Sequence, residues 1–203
     1  MSGKVNLSRL HDSLILTWNC NLHCRHCRPY LPPDFSLSPS NAKKYIDALV
    51  QKGSLFLHLT GGEPLMHGDF WEITTYAHRQ KFALILHTNG TLITTDIGDK
   101  LKQLNFIHVF LTILGAKSET HDSLTGVRGS FEKTILTFQI LKEIGVKVSL
   151  TSTRLKENLD EIPEMERLAK KTGTELKIVS FQPLDRRKIE DFNRCYQRNF
   201  QRS

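Results

Sequence analysis

The densest run of reactive side chains is Cys20-Asn21-Leu22-His23-Cys24-Arg25-His26-Cys27, which sets three thiols on one short stretch. Soft thiolates at this spacing can converge on a single metal centre. Two kinds of centre are chemically open. A structural zinc takes four ligands, with His23, His26 or Cys195 available as the fourth. A 4Fe-4S cluster held by three thiolates instead leaves one iron open to an external ligand, as a catalytic cluster requires. Cys195 lies far from the others and reads as a half-buried apolar residue of a last helix. Clustered cysteines suit metal ligation in a reducing compartment better than a disulfide framework, so the cytoplasm is the expected location.

Further groups with chemical potential follow later strands. In Thr60-Gly61-Gly62-Glu63-Pro64-Leu65 the paired glycines let backbone approach a ligand closely and the carboxylate can receive an amine. Thr88-Asn89-Gly90 forms a second such loop, and Thr112 ends another apolar run. His58, His87 and His108 fall inside predicted strands, where they read as hydrogen-bonded core or rim residues with some capacity for substrate chemistry.

These groups need a scaffold that gathers them. Short β-branched or Leu/Phe-rich runs recur at Leu14–Thr17, Leu55–Thr60, Ala83–Thr88, Ile107–Thr112, Val146–Thr151 and Leu176–Val179. Helical segments separate them. Ser38 and Pro39 open one that Gly53 stops, Asp69 caps a second, and Thr94 or Thr95 opens a third. Ser130 is expected to cap the helix through Leu141, and Asn158 with Glu161 to form a capping box for the helix that Gly173 ends. Strand and helix alternating in this way call for an α/β fold with a parallel sheet, either open and doubly wound or curled like a barrel. In parallel α/β folds ligands bind at the carboxyl ends of the strands, which would bring the cysteine, glycine and asparagine loops to one mouth.

The 203 residues and 39% hydrophobic content suit a single domain of residues 1–203, with its motif-bearing part at about 14–180 and a C-terminal helix at about 184–201. No signal peptide or membrane span is expected. The net charge of +7 is compatible with nucleic acid, an acidic peptide or an acidic redox partner. A stripe of Arg194, Arg198 and Arg202 on the last helix reads as a solvated face, and nucleic acid is not the expected partner.

C-x-x-x-C-x-x-C after the first strand, Gly-Gly-Glu-Pro after the second and Thr-Asn-Gly after the third resemble the radical SAM superfamily. Gly115 to Phe131, with His121, Asp122, Gly126, Gly129 and Ser130, resembles the branch that often carries a C-terminal SPASM domain and modifies peptides or proteins. The likeness runs from about Leu14 to Gly173. It implies a partial (β/α)6 TIM-like barrel of parallel strands, the radical SAM core. It also implies that Cys20, Cys24 and Cys27 ligate three irons of a 4Fe-4S cluster while the methionine part of S-adenosyl-L-methionine chelates the fourth. Gly61, Gly62 and Glu63 would then border the methionine amino group, His26 would present its ring beside the third cysteine, and Thr112 would approach the ribose. Asn89 and Arg154 are further expected ligand contacts, Arg154 to the carboxylate. The expected activity is reductive cleavage of SAM to a 5'-deoxyadenosyl radical that abstracts hydrogen from a peptide, protein or small-molecule substrate. An acidic electron donor such as flavodoxin or ferredoxin is the expected redox partner. The alternatives are a non-catalytic or accessory iron-sulfur/SAM-binding protein, or a fragment of a longer SPASM-type enzyme. Leu114 stands where related chains often place an acid, Arg28 replaces a frequent Tyr, and Cys195 alone cannot hold an auxiliary cluster.

Overall fold

The computed structural model describes residues 10–27 and 34–180. The expected last helix, its basic stripe, Cys195 and Arg28 lie outside these residues.

Six strands, β1 (His11–Thr17), β2 (Phe56–Gly61), β3 (Ala83–Thr88), β4 (Phe106–Thr112), β5 (Val148–Arg154) and β6 (Leu176–Ser180), form one parallel sheet in sequential order. Six helices connect or flank them: α1 (Pro39–Lys52), α2 (Phe70–Arg79), α3 (Thr95–Gln103), α4 (Ser118–Thr125), α5 (Ser130–Glu143) and α6 (Ile162–Lys171). This is the curled alternative, a partial TIM-like barrel. Unbroken sequential order is what a barrel wall needs, whereas a doubly wound sheet reverses direction at a switch point.

Strand residues alternate between two faces. Leu14, Leu16, Leu57, Leu59, Leu84, Leu86, Val109, Leu111 and Leu150 face the helices, where Ile46, Ile73, Leu101, Phe138, Leu141 and Met165 complete a buried core. The opposite, inner face is polar and aromatic, with His11 on β1, His58 on β2, His87 on β3, His108 and Phe110 on β4 and Lys177 on β6. A helix-side leucine wall therefore fixes the register, since a slip of one residue would exchange the two faces.

Several local expectations hold. The Ser38 side chain accepts from the Asn41 amide at 3.3 Å, Pro39 starts α1, and Gly53 ends it at φ 84°. The Thr94 hydroxyl caps α3. Asp69 occupies the N-cap of α2 without a side-chain cap bond. Two caps are corrected. Gly129, not Ser130, is the N-cap of α5. The capping carboxylate comes instead from Asp122, which accepts from the amides of Gly129 (2.6 Å) and Phe131 (2.9 Å) and from the Ser130 hydroxyl (2.8 Å). Burial would raise the Asp122 carboxyl, but these donors outweigh it and hold the pKa below its ordinary value. Asn158 does not open a capping box with Glu161. Fully buried, it accepts from the Leu155 amide and donates to the carbonyls of Leu114 and Thr153, clasping the ends of β4 and β5 together. Glu161 caps α4 from a distance, accepting from the amides of Ala116 and Lys117 and from the Thr120 hydroxyl.

Gly61 is required by close approach. Its φ is 142°, and a Cβ there would lie 2.2 Å from the Thr17 carbonyl oxygen. Gly61→Ala is expected to destabilise the chain by about 2–4 kcal/mol, because neither the backbone angle nor the facing carbonyl can yield cheaply. Urea denaturation of the two chains side by side measures the loss.

Candidate active site

The cysteine loop leaves the end of β1 and is held on three sides. The amides of His23 and Arg25 donate to the carbonyls of Thr125 (2.8 Å) and Leu124 (3.0 Å) at the end of α4. Leu22 is buried, and the Cys27 amide closes a turn onto the Cys24 carbonyl at 3.0 Å. From the β2 side, the amides of Gly62 and Glu63 donate to the carbonyls of Thr17 and Asn19 at 2.7 and 2.8 Å. A Cβ on Gly62 would come within 2.5 Å of the Asn19 carbonyl oxygen. The glycine pair thus packs backbone against backbone, which places Glu63 beside the cysteines.

Cys20 and Cys24 are half-buried and Cys27 is exposed. Two donors point at Cys20 Sγ, the Leu22 amide at 3.4 Å and Asn89 Nδ2 at 3.8 Å. Burial raises the Cys20 thiol pKa despite these bonds. Burial pushes Cys24 up to about 12, with Cys20 and Cys27 adding to the rise. The thiols therefore sense one another and want a positive centre to neutralise them.

Glu63 is fully buried. Thr88 Oγ1 donates to both its oxygens at 2.8 Å, the Asn89 amide to Oε2 at 2.9 Å and the Leu65 amide to Oε1 at 3.2 Å. Burial pushes the carboxyl up to about 7 while these neutral donors pull the other way. A buried carboxylate supported only by neutral groups gains strongly from a cation brought to it.

Asn89 connects the two halves. Its Nδ2 reaches Asn21 Oδ1 at 3.0 Å as well as Cys20, and its Oδ1 accepts from the Thr91 amide and hydroxyl; Asn21 in turn donates to Thr91 Oγ1 at 2.7 Å. Two buried threonines of α5 hold this turn in place, Thr134 donating to the Asn89 carbonyl at 2.9 Å and Thr137 to that of Gly90 at 2.6 Å. Asn21, Thr91, Thr134 and Thr137 were not legible as site residues. Only the position of Asn21 and Thr91 next to motif residues hinted at them.

The remaining expected contacts are less gathered. Half-buried His26 lies on the cysteine loop, half-buried Thr112 ends β4, and Arg154 is exposed at the end of β5. Leu114, at the position often acidic in related chains, is fully buried; its amide donates to His121 Nδ1 at 3.1 Å and its carbonyl accepts from Asn158.

The donor set fits a 4Fe-4S cluster with an amino-acid chelate. The three thiols couple electrostatically, amide donors address sulfur as they do around such clusters, and a cation-seeking carboxylate stands alongside. Among the described residues, no three His, Cys, Asp or Glu side chains group as ligands of a single ion would.

Comparison with known proteins agrees. The family description "Radical SAM superfamily" matches residues 14–169. A protein named AdoMet-dependent heme synthase, from Methanosarcina barkeri, is 37% identical over 161 residues, 78% of this chain and 46% of its own length. The mycofactocin maturase MftC of Mycolicibacterium smegmatis is 32% identical over 176 residues, 84% of this chain and 44% of its own. The chain therefore spans about half the length of the curated relatives it matches. Among solved structures, Streptococcus suis SuiB bound to the precursor peptide SuiA superposes with a TM-score of 0.74 at 17% identity, covering 95% of this chain and 47% of that one, a likeness of fold. With the cysteine, Gly-Gly-Glu-Pro and Thr-Asn-Gly loops gathered at one mouth and the family match running through all of them, this chain belongs to the radical SAM superfamily, whose cofactors are a 4Fe-4S cluster and S-adenosylmethionine.

Proposed function

We propose that Cys20, Cys24 and Cys27 hold the cluster, that Glu63 receives the amino group of SAM, and that the chain generates a radical for hydrogen abstraction from a peptide or protein. When bound, the cluster and SAM supply one-electron cleavage of the sulfonium to a 5'-deoxyadenosyl radical. The chain's residues do the positioning. Asn89 ties the ligand loop to the Glu63 loop, Glu63 orients an ammonium through one face of a carboxylate whose other contacts are already made, and His26, Thr112 and Arg154 border the mouth. The observation that carries this reading is the hydrogen-bonded path from Cys20 through Asn89 to Glu63, which joins a thiol ligand to a carboxylate seeking a cation.

The peptide or protein substrate is supported by the relative named as a mycofactocin maturase. An iron tetrapyrrole is a second reading, favoured by the similarity to heme synthase and by the imidazoles on the inner face, which can ligate iron. A Soret shift on titrating an iron porphyrin into the protein would select it. An acidic electron donor suits the net charge of +7.

Anaerobic reconstitution followed by SAM and dithionite is expected to give 5'-deoxyadenosine and methionine. A fully loaded protein that binds SAM without forming either product would instead be an accessory binding protein, and a protein that takes up zinc but no iron would be a structural zinc module.

A further inference from the structure

The inner face of the barrel carries a ladder of imidazoles beneath the cofactor mouth. His11, the first residue of β1, is exposed, and its Nδ1 lies 3.0 Å from His58 Nε2. On the other side of the same ring, His58 Nδ1 lies 2.9 Å from His87 Nε2. His87 is the penultimate residue of β3, adjacent to the Thr88 that holds Glu63. Three rings thus run diagonally across three strands, from solvent at the start of β1 to the floor of the cofactor mouth. Aromatic stacking holds both ends: His11 lies on Phe56 at 4.3 Å and 11°, and His87 on Phe110 at 4.9 Å and 20°.

The central ring decides what the ladder can do. His58 uses opposite nitrogens for its two neighbours, so the three rings do not converge on one point, and a single metal ion cannot take all three. A neutral imidazole with one donating and one accepting nitrogen is instead the unit of a proton chain. We infer that His11, His58 and His87 form a proton relay between the inner face of the barrel and bulk solvent. With the proton of each bridge on an Nε2 nitrogen, a proton taken up at His87 Nδ1 releases the Nε2 proton to His58 Nδ1. The Nε2 proton of His58 passes to His11 Nδ1, and the Nε2 proton of His11 leaves to water. One proton enters and one departs, no electrons move, and the three rings end as the opposite tautomers, ready for passage the other way.

The surroundings keep His58 and His87 in the form a relay needs. Burial lowers the pKa of His58, assisted by His11 and Lys177, and lowers that of His87 to about 4, with His58, His108 and Lys177 adding to it. Across the same face, Lys177 Nζ sits 4.5 Å from the Phe110 ring centroid, and His108, bonded to Ser149 Oγ at 2.9 Å, is itself lowered to about 4 by burial, Lys147 and Lys177, with Glu175 opposing. A cationic ring would have no acceptor nitrogen and would stop the chain.

The relay rests on the proposed radical chemistry for its purpose, a route for protons that substrate gives up or receives, but its test needs neither cluster nor SAM. In the full chain labelled with 15N-histidine, solvent exchange of the His87 ring proton is measured in wild type and in His11→Ala, which removes the solvent end and leaves the His58–His87 bridge. Exchange is expected to slow by about tenfold or more, since water, a far weaker base than the lost imidazole, must then take the proton from His58 Nε2. Imidazole added to the buffer restores it, whereas pyrrole, which has the same shape and no basic nitrogen, does not. His58→Phe, cutting the middle, slows it likewise. Unchanged exchange in both variants, or equal restoration by pyrrole, would overturn the relay, and a melting curve on each variant reports the fold separately.

Discussion

Cys24→Ala is expected to fold normally, to retain no intact cluster, and to form 5'-deoxyadenosine no faster than a protein-free control. The residues on either side of Cys24 are pinned through their amides to the end of α4, and Leu22 is buried, so the loop keeps its path without the sulfur. What disappears is one of the three proposed ligands. Burial and its two neighbours also push the Cys24 thiol up to about 12, so it binds metal only by surrendering a proton to a strongly positive centre. The expected fall in SAM cleavage is at least about a thousandfold, ~4 kcal/mol in barrier terms. Iron and sulfide content, visible absorbance and product formation are measured together. Undiminished 5'-deoxyadenosine from this variant would remove Cys24 from the ligand set.

Glu63→Gln should weaken SAM binding by about 10–100-fold, the effect of trading a charge-assisted bond to an ammonium for a neutral one. Its effect on stability has the opposite sign. Burial lifts the folded-state carboxyl from 4.5 to about 7, so the folded chain holds that proton more tightly than the unfolded chain. The contribution is fully present below 4.5 and is lost as pH rises to about 7. Without SAM, the stability of Glu63→Gln relative to wild type should therefore climb through that window and level off above it. Calorimetric melting of both proteins across the range tests the slope, and isothermal titration with SAM tests the affinity. A variant that binds SAM as wild type does would place the ammonium elsewhere.

Much of the fold was legible because the buried side of β1 to β5 is largely a leucine or valine pattern that does not depend on distant residues. Strand starts were less clear where the inner face is polar. β1 begins at His11 rather than Leu14, because His11 and Ser13 face inward and conceal the alternation. Helix α4 escaped notice for a related reason. Its buried residues are His121, Leu124 and Thr125, too few apolar positions to draw a stripe. Ser38 and Thr94 were readable as caps since their acceptors bond three residues ahead. The α5 cap comes from Asp122, eight residues before Ser130, and Glu161 reaches back 45 residues to Ala116. Such partners exist only once the chain has folded. The site followed the same rule: cysteines, glycines and Glu63 announce themselves by type and spacing, while the Asn21, Thr91 and Thr134 supports become visible only through the bonds they make.

The cysteine loop is anchored by Leu124 and Thr125, about a hundred positions downstream of the thiols. During synthesis at ~5–20 residues per second, the proposed ligand cysteines therefore leave the ribosome roughly 5–20 s before their clamp exists. Throughout that interval they are three loosely tethered thiols with no imposed geometry. Iron delivered early would meet an unshaped peptide, so topology orders biogenesis: the fourth strand-helix unit would have to be made before the proposed metallocofactor could be seated.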